Sequence, residues 1–239
     1  MAKVNIMTEN EIMQLLDKLY EQSVQGLPKV SQPINVLAED YLKKSNNDVS
    51  AAAKSFMKYQ IAKCTTSGFL AGLGGAITLP VTIPANIGST LYVQMRMIAC
   101  LAYMGGYDVK SDQVQTLVYA CLAGIGVDQI LKKAGIQFGE KFANAAIQKI
   151  PGAVLTKINQ AVGFRFITKF GSKGVINLGK TLPFVGGVIG GGFDFAETRV
   201  IANRAYKMFI KGDFSTPDNE KNKEEQIIDV GEDLEVSNT

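Results

Sequence analysis

Apolar residues recur along this chain at the spacing of amphipathic helices. From Ile12 to Tyr20 they fall three or four positions apart, directly after Thr8-Glu-Asn-Glu11, which has the form of a capping box. No strand-like alternation exceeds a few residues. Further helices are predicted from Ser31 to about Lys44, from Asn47 or Asp48 through Ile61, from Asn86 to Met104, from Ser111 toward Gly124, and from about Gly191 to Ile210. We predict an all-α fold.

The starts of three predicted helices carry a residue that can accept hydrogen bonds from the first turn. Ser31 is placed to cap the helix opened by Pro33, and either Asn47 or Asp48 precedes the next alanine-rich helix. Ser111 stands at the third start. These assignments predict one helical domain over residues 1–211, followed by a disordered acidic tail over residues 212–239.

Two glycine-rich apolar segments stand out, from Gly68 to Pro84 and from Leu182 to Arg199. Their four-residue glycine spacing lets helix backbones approach closely, and Pro80 and Pro84 break the first segment into a predicted central hairpin. The predicted packing residues are Gly68, Gly72, Gly75, Gly186, Gly190 and Gly191. Packing in a protein core, insertion in lipid, a bilayer-spanning hairpin and ligand binding all remain open, although the glycines lack the lysine of a phosphate-binding loop.

Charges inside otherwise apolar helices need partners. Arg96 interrupts one such helix and Asp194 another, so we predict that the two form a buried ion pair. Asp194 and Glu197 share a helix face, where capping and surface salt bridges are the alternative.

The composition excludes several kinds of chemistry. The chain has no histidine and three widely spaced cysteines, which excludes the usual zinc sites and every nucleophile that depends on histidine. Cys64, Cys100 and Cys121 lie in apolar runs, which indicates reduced, buried thiols in the cytosol. We predict no catalytic residue, no cofactor and no metal.

The net charge of +3 is unevenly distributed. From residue 212 onward nine acids face two lysines, a charge of −7, so the preceding residues carry +10. The predicted membrane face consists of Lys141, Lys149, Lys157, Arg165, Lys169 and Lys173. Phenylalanines 138, 142, 164, 166 and 170 lie among these cations, a composition typical of interfacial helices. A solvated surface is the alternative, and no nucleic-acid-binding signature accompanies the charge.

Four features together resemble the bacterial EcsC family over roughly residues 15 to 210. They are Gly68-Phe-Leu-Ala-Gly-Leu-Gly-Gly75 leading into Leu79-Pro-Val-Thr-Ile-Pro84, Gln94-Met-Arg-Met-Ile-Ala99 with Gly106-Tyr-Asp108, Gly171-Ser-Lys-Gly174, and Lys180-Thr-Leu-Pro-Phe-Val-Gly-Gly187 with Phe193-Asp194 and Thr198-Arg199. The resemblance implies glycine-rich helices and membrane association in a bacterial protein. It brings no established catalytic residue.

These observations predict a non-enzymatic, cytoplasmic protein that associates peripherally with anionic membranes. Alternatives are a membrane-perturbing or pore-forming effector, a soluble scaffold that binds a protein partner, and an enzyme that uses Asp194 or Glu197. The oligomeric state stays open.

Overall fold

A computed structural model describes residues 8–64, 77, 85–136, 143–170 and 189–214. Within these ranges, the side chains at 64, 85–87, 143–144, 169–170 and 189–197 are left undescribed. The helices are α1 (Glu9–Gln25), α2 (Ile34–Lys44), α3 (Val49–Cys64), α4 (Ala85–Met104), α5 (Asp112–Ala123), α6 (Asp128–Lys133), α7 (Ala143–Gln148), α8 (Gly152–Phe170) and α9 (Ile189–Ile210). The predicted all-α class is confirmed.

The first helix begins at the predicted capping box. The Thr8 hydroxyl accepts a hydrogen bond from the Glu11 backbone N–H at 3.3 Å, and the Glu11 carboxylate accepts one from the Thr8 N–H at 2.7 Å. The Thr8 hydroxyl also donates to that carboxylate at 3.0 Å, and the donations by the Thr8 N–H and hydroxyl hold the pKa of Glu11 below its ordinary value. Gly26 then ends the helix with a φ of 81°, a conformation that a residue with a Cβ adopts at a cost.

The predicted cap at Ser31 is wrong. Pro33 is the residue that precedes α2, and it makes no side-chain capping bond. The Ser31 hydroxyl instead accepts from the Leu27 N–H at 2.9 Å and shares a hydrogen bond with the Tyr92 hydroxyl at 2.6 Å. The tight turn between Leu27 and Ser31 supplies a nearer donor than the first turn of α2 does.

The other two predicted caps are confirmed. The Ala51 N–H donates to the Asp48 carboxylate at 3.0 Å, which decides between Asn47 and Asp48. Asn47 instead has a φ of 62° in the turn after α2, a left-handed conformation that asparagine tolerates. The Val114 N–H donates to the Ser111 hydroxyl at 3.4 Å at the start of α5.

Helix α4 is the centre of the fold. It packs against α1, α2, α3, α5 and α9, and residues 88 to 102 are all buried. A helix with apolar residues on every side is stable only when other helices cover all of its faces, and the few polar side chains of α4, such as Arg96, are buried with them. Each fully buried large side chain contributes about 1.5–3 kcal/mol, so α4 provides much of the core.

Two backbones approach closely where α4 ends. A Cβ built on Gly105 would lie 2.2 Å from the Phe209 carbonyl oxygen of α9, so this position requires glycine. The Tyr107 and Phe209 rings meet edge to face beside it, with centroids 5.5 Å apart. Four of the glycines predicted to pack helices lie outside the described residues, namely Gly68, Gly72, Gly75 and Gly186. Gly190 and Gly191 lie in the first turn of α9, and their predicted packing is untested.

Candidate functional site

Helix α8 separates an apolar face from a cationic one. Its buried side chains pack on α5 and α1, and they are Val154, Leu155, Ile158, Val162 and Phe166. The opposite face exposes Lys157, Gln160, Phe164, Arg165 and Thr168. The helix is therefore anchored by one side, and the other side is presented outward.

The exposed face carries a large aromatic side chain between cations. Phe164 is 67% exposed, the most exposed of the large hydrophobic side chains among the described residues. It follows Lys157 by seven positions, which places the two on one face, about 10 Å apart along the helix axis. Arg165 lies next to Phe164 and is also exposed. We call Lys157, Phe164 and Arg165 the α8 face; Lys149 is exposed in the turn that precedes the helix.

The predicted membrane residues fall into two groups. Lys149, Lys157 and Arg165 are exposed, as a surface site requires. Lys141 and Lys173 lie outside the described residues, and so does the side chain of Lys169. The prediction that Phe166 joins these cations is wrong. Its side chain is 6% exposed and packs into the core, because it lies two positions from Phe164 and so on a different side of the helix.

One carboxylate lies beside the inner edge of α8. A Cβ built on Gly163 would lie 2.6 Å from the Glu9 side chain of α1. This contact is on the packed side of the helix, since Gly163 is buried whereas Phe164 and Arg165 are exposed. Glu9 therefore marks the boundary of the α8 face towards α1.

A second lysine-bearing surface lies on α3. Lys54, Lys58 and Tyr59 are exposed there, and Tyr59 is 51% exposed. The Lys63 ammonium sits over the Tyr59 ring, 4.4 Å from its centroid, so this aromatic ring already has a cation as neighbour. Since α3 packs on α2, α4 and α9, and α8 on α1 and α5, the two surfaces belong to different parts of the fold.

Arg96 is buried and bonded to backbone carbonyls. Its guanidinium donates to the Ser23 carbonyl at 2.8 Å and to the Gln32 carbonyl. Ser23 belongs to the last turns of α1, where a cation is favourable because the carbonyls point outward from the helix end. The Asp194 side chain lies outside the described part of the chain, so the predicted ion pair is untested.

A second arginine plays a similar part at the end of α5. Arg204 on α9 donates to the Cys121 carbonyl at 2.9 Å, and its guanidinium lies 3.3 Å from where a Cβ on Gly124 would be. Gly124 ends α5 with a φ of 72°. The sequence alone does not show this role of Arg204, because a helical pattern reveals which positions are charged but not which helix end each side chain reaches.

Polar side chains also join α1 to α5. The Tyr119 hydroxyl donates to the Asp17 carboxylate at 2.8 Å, and the Gln115 amide donates to the same oxygen at 2.8 Å. Burial, followed by the Asp17 bond, raises the pKa of Tyr119 far above its ordinary value. Burial likewise raises the pKa of Tyr20, whose hydroxyl donates to the Val109 carbonyl at 2.8 Å. These hydroxyls are structural donors that stay protonated.

The two described cysteines are buried thiols, as predicted. Burial raises the pKa of both Cys100 and Cys121 to about 12, although the neighbouring cations Arg96 and Arg204, respectively, act in the opposite direction. A thiol with such a pKa stays protonated at neutral pH and is a poor nucleophile. Cys64 is described only in its backbone.

Two further features concern the described part of the chain only. It contains no cluster of three or more histidine, cysteine or acidic side chains that could hold a metal ion. Within the same residues, no helix is both long and apolar enough to cross a bilayer. The α8 face thus stands as the feature with the clearest binding chemistry, a cationic surface with an apolar side chain at its centre.

Comparison with known proteins found no matching protein-family model, curated protein or solved structure. The resemblance to the EcsC family therefore stays a prediction that rests on the glycine and proline motifs of the sequence.

Proposed function

We propose that this protein binds the surface of anionic membranes through the α8 face and performs no catalysis. The observation that carries the proposal is the exposed ring of Phe164 between Lys157 and Arg165 on a helix whose other side is anchored in the core. An aromatic side chain can enter the headgroup region while the flanking cations meet lipid phosphates. The proposed location is the cytosolic side of a bacterial membrane, because the EcsC resemblance implies membrane association in a bacterium and the cysteines in apolar runs indicate the cytosol.

The charge distribution around α8 supports this assignment. From residue 141 to 193 the sequence has seven lysines and arginines and no acidic residue. Each cation near an anionic membrane contributes about 1 kcal/mol of binding free energy at moderate ionic strength. The two described cations of the α8 face would thus contribute about 2 kcal/mol, and burial of the Phe164 ring adds to this. The result is reversible, salt-dependent binding.

Vesicle flotation tests the proposal with the full chain. Vesicles of phosphatidylcholine and phosphatidylserine, compared with phosphatidylcholine alone, separate anionic recognition from general adsorption. We expect the protein to float with the anionic vesicles at low salt and to be released at high salt, because the attraction is screened. Protein that stays unbound to anionic vesicles at low salt would contradict the proposal.

Matched substitutions locate the binding surface. Lys157→Gln with Arg165→Gln should weaken binding about 30-fold, since two cations contribute about 2 kcal/mol together. Phe164→Ser should weaken it further. The control removes the same groups from α3, with Lys54→Gln, Lys58→Gln and Tyr59→Ser, and an equal loss there would show that the α8 face is not the site.

The rival membrane function is a pore, and it has its own readout. Vesicles loaded with a self-quenching dye remain intact when a protein binds only at the interface. We expect binding without dye release. Rapid release at concentrations that saturate the vesicles would favour a pore-forming effector over the proposed peripheral role.

A further inference from the structure

We infer that the acidic segment 215–239 of the same chain docks on the α8 face and competes there with anionic lipid. The inference rests on the proposed membrane function, because it gives the lipid-binding surface a second, internal ligand. Three observations support it: charge, the placement of apolar side chains, and reach.

The charges of the two partners are complementary. Residues 215–239 contain eight acidic residues and two lysines, a net charge of −6. The α8 face presents Lys157 and Arg165 within a stretch of sequence that has no acid from 141 to 193. The carboxylates of this segment offer the cations of the α8 face the same kind of negative charge as the phosphates of an anionic membrane.

The acidic segment also offers apolar side chains to Phe164. From Glu225 to Val236 the acids are interspersed with apolar residues, namely Ile227, Ile228, Val230, Leu234 and Val236. An entirely polar acidic segment would leave the Phe164 ring, which is 67% exposed, in water. Burial of part of that ring by an isoleucine or leucine adds to the attraction between the charges and survives at salt concentrations that screen them.

The segment begins at a fixed point and is long enough to reach α8. Phe214 is only 4% exposed, and the Asp213 N–H donates to the Lys207 carbonyl at 3.0 Å, so the chain is held in the domain up to that point. The 25 residues from 215 to 239 can span up to about 80 Å when extended. A domain of this size has a radius of gyration of about 17 Å, and the ten residues from 215 to 224 alone can span up to about 33 Å, so the acids from Glu224 onward can reach a large part of its surface.

Tethering makes even a weak attraction effective. A short linker holds a segment at an effective concentration on the order of 1 mM near its target. With an intrinsic dissociation constant of about 0.1 mM, the docked state would be populated about tenfold over the open state. The apparent affinity for vesicles would then fall about tenfold.

Zero-length cross-linking with a carbodiimide tests the docking without any membrane. The reagent joins a lysine to a carboxylate in direct contact, and the linked peptides are identified by mass spectrometry. We expect Lys157 to link to acids between Glu224 and Glu235 of the same chain. Phe164→Ser combined with Arg165→Gln leaves Lys157 in place but should lower this yield several-fold. Equal linking of the segment to Lys54 and Lys58, links only between two chains, or no links would overturn the docking.

Vesicle binding by the full chain tests the competition. Glu224→Gln, Glu225→Gln, Asp229→Asn, Glu232→Gln and Asp233→Asn together should raise vesicle affinity about tenfold, whereas Lys221→Gln with Lys223→Gln should lower it. If the five neutral substitutions give the same gain in the Phe164→Ser, Arg165→Gln background, the segment acts only through net charge and the competition is refuted. Cross-links to Lys157 in a protein that does not bind vesicles even after the five neutral substitutions would uphold the docking and refute the membrane function. Binding to anionic vesicles without cross-links to Lys157 would refute the docking alone.

Discussion

The guanidinium of Arg96 lies 2.8 Å from the carbonyl oxygen of Ser23 and also donates to the carbonyl of Gln32. One buried side chain of the central helix thereby holds the end of α1 and the segment that leads into α2. Arginine suits this position because its planar guanidinium presents several donors in fixed directions. Its side chain is 6% exposed, so water contributes little to its solvation.

Replacement of Arg96 by methionine should lower the free energy of unfolding by about 2–4 kcal/mol, since two carbonyls lose a charged donor in the interior. Arg96→Lys should cost less than Arg96→Met but still destabilise, because one ammonium does not reproduce the geometry of the fork. Urea denaturation measures both. Arg165→Gln is the exposed control, with an expected change within about 0.5 kcal/mol.

The predicted pair between Arg96 and Asp194 has a separate test. Asp194→Asn alone and in the Arg96→Met background forms a double-mutant cycle. A coupling energy on the order of 1–3 kcal/mol would establish the pair. Additive effects would show that the carbonyls of Ser23 and Gln32 are sufficient partners for Arg96.

Gly105 and its neighbour Gly106 should respond to alanine for different reasons. A Cβ at Gly105 would overlap the backbone of Phe209 at 2.2 Å, so α4 and α9 must separate, and we expect a loss of about 1–3 kcal/mol or more. Gly106 has a φ of 82° and open space around it, so alanine there costs only the left-handed conformation, about 1 kcal/mol. Thermal or urea unfolding of the two variants compares them directly. Equal losses would contradict the close approach of the two helices.

Removal of the Tyr119 hydroxyl should destabilise the contact between α1 and α5. Tyr119→Phe loses the 2.8 Å hydrogen bond to Asp17 and should cost about 1–2 kcal/mol, because the bond is partly buried and involves a charged acceptor. Tyr103→Phe is a matched control, since its 2.9 Å bond to Glu39 lies at the surface. A smaller loss for Tyr119→Phe than for Tyr103→Phe in urea denaturation would contradict this assignment.

Alkaline pH should weaken the fold through the buried thiols. Burial raises the pKa of Cys100 and Cys121 to about 12 in the folded protein, whereas the unfolded thiols titrate near their ordinary value of about 8.5. The folded state therefore retains protons that the unfolded state loses. The contribution of the two thiols to the free energy of unfolding is therefore fully present below about pH 8.5. It falls as pH rises toward 12, by about 1.4 kcal/mol per pH unit for each thiol.

The slope of unfolding free energy against pH, measured by urea denaturation from pH 7 to 10.5, checks this expectation. Cys121→Ala should reduce the slope above pH 9 by the share of one thiol, whatever its effect at neutral pH. Native protein should leave Cys100 and Cys121 unmodified by a thiol reagent, and urea should expose both. Rapid native modification of either would contradict the burial that raises its pKa.

Local sequence signals predicted most of the helix boundaries. The capping box at Thr8 and the caps at Asp48 and Ser111 act through bonds within a few residues, so they can be recognised without the fold. Ser31 shows where this reasoning fails. Its hydroxyl has several possible partners, and in the fold it binds the Leu27 N–H of the local turn and the Tyr92 hydroxyl of a helix 61 positions later.

By itself, the sequence determined the all-α class, the approximate positions of six helices and the uneven distribution of charge along the chain, because periodicity, capping and composition are local properties. Only the tertiary structure decided that Arg96 binds carbonyls of α1 and of the following segment, that Gly105 touches Phe209, and that Phe164 faces outward while Phe166 faces the core. Each of these depends on which helix faces meet. Side-chain periodicity identifies the faces of one helix, but the partner of a face is fixed by packing among residues far apart in sequence.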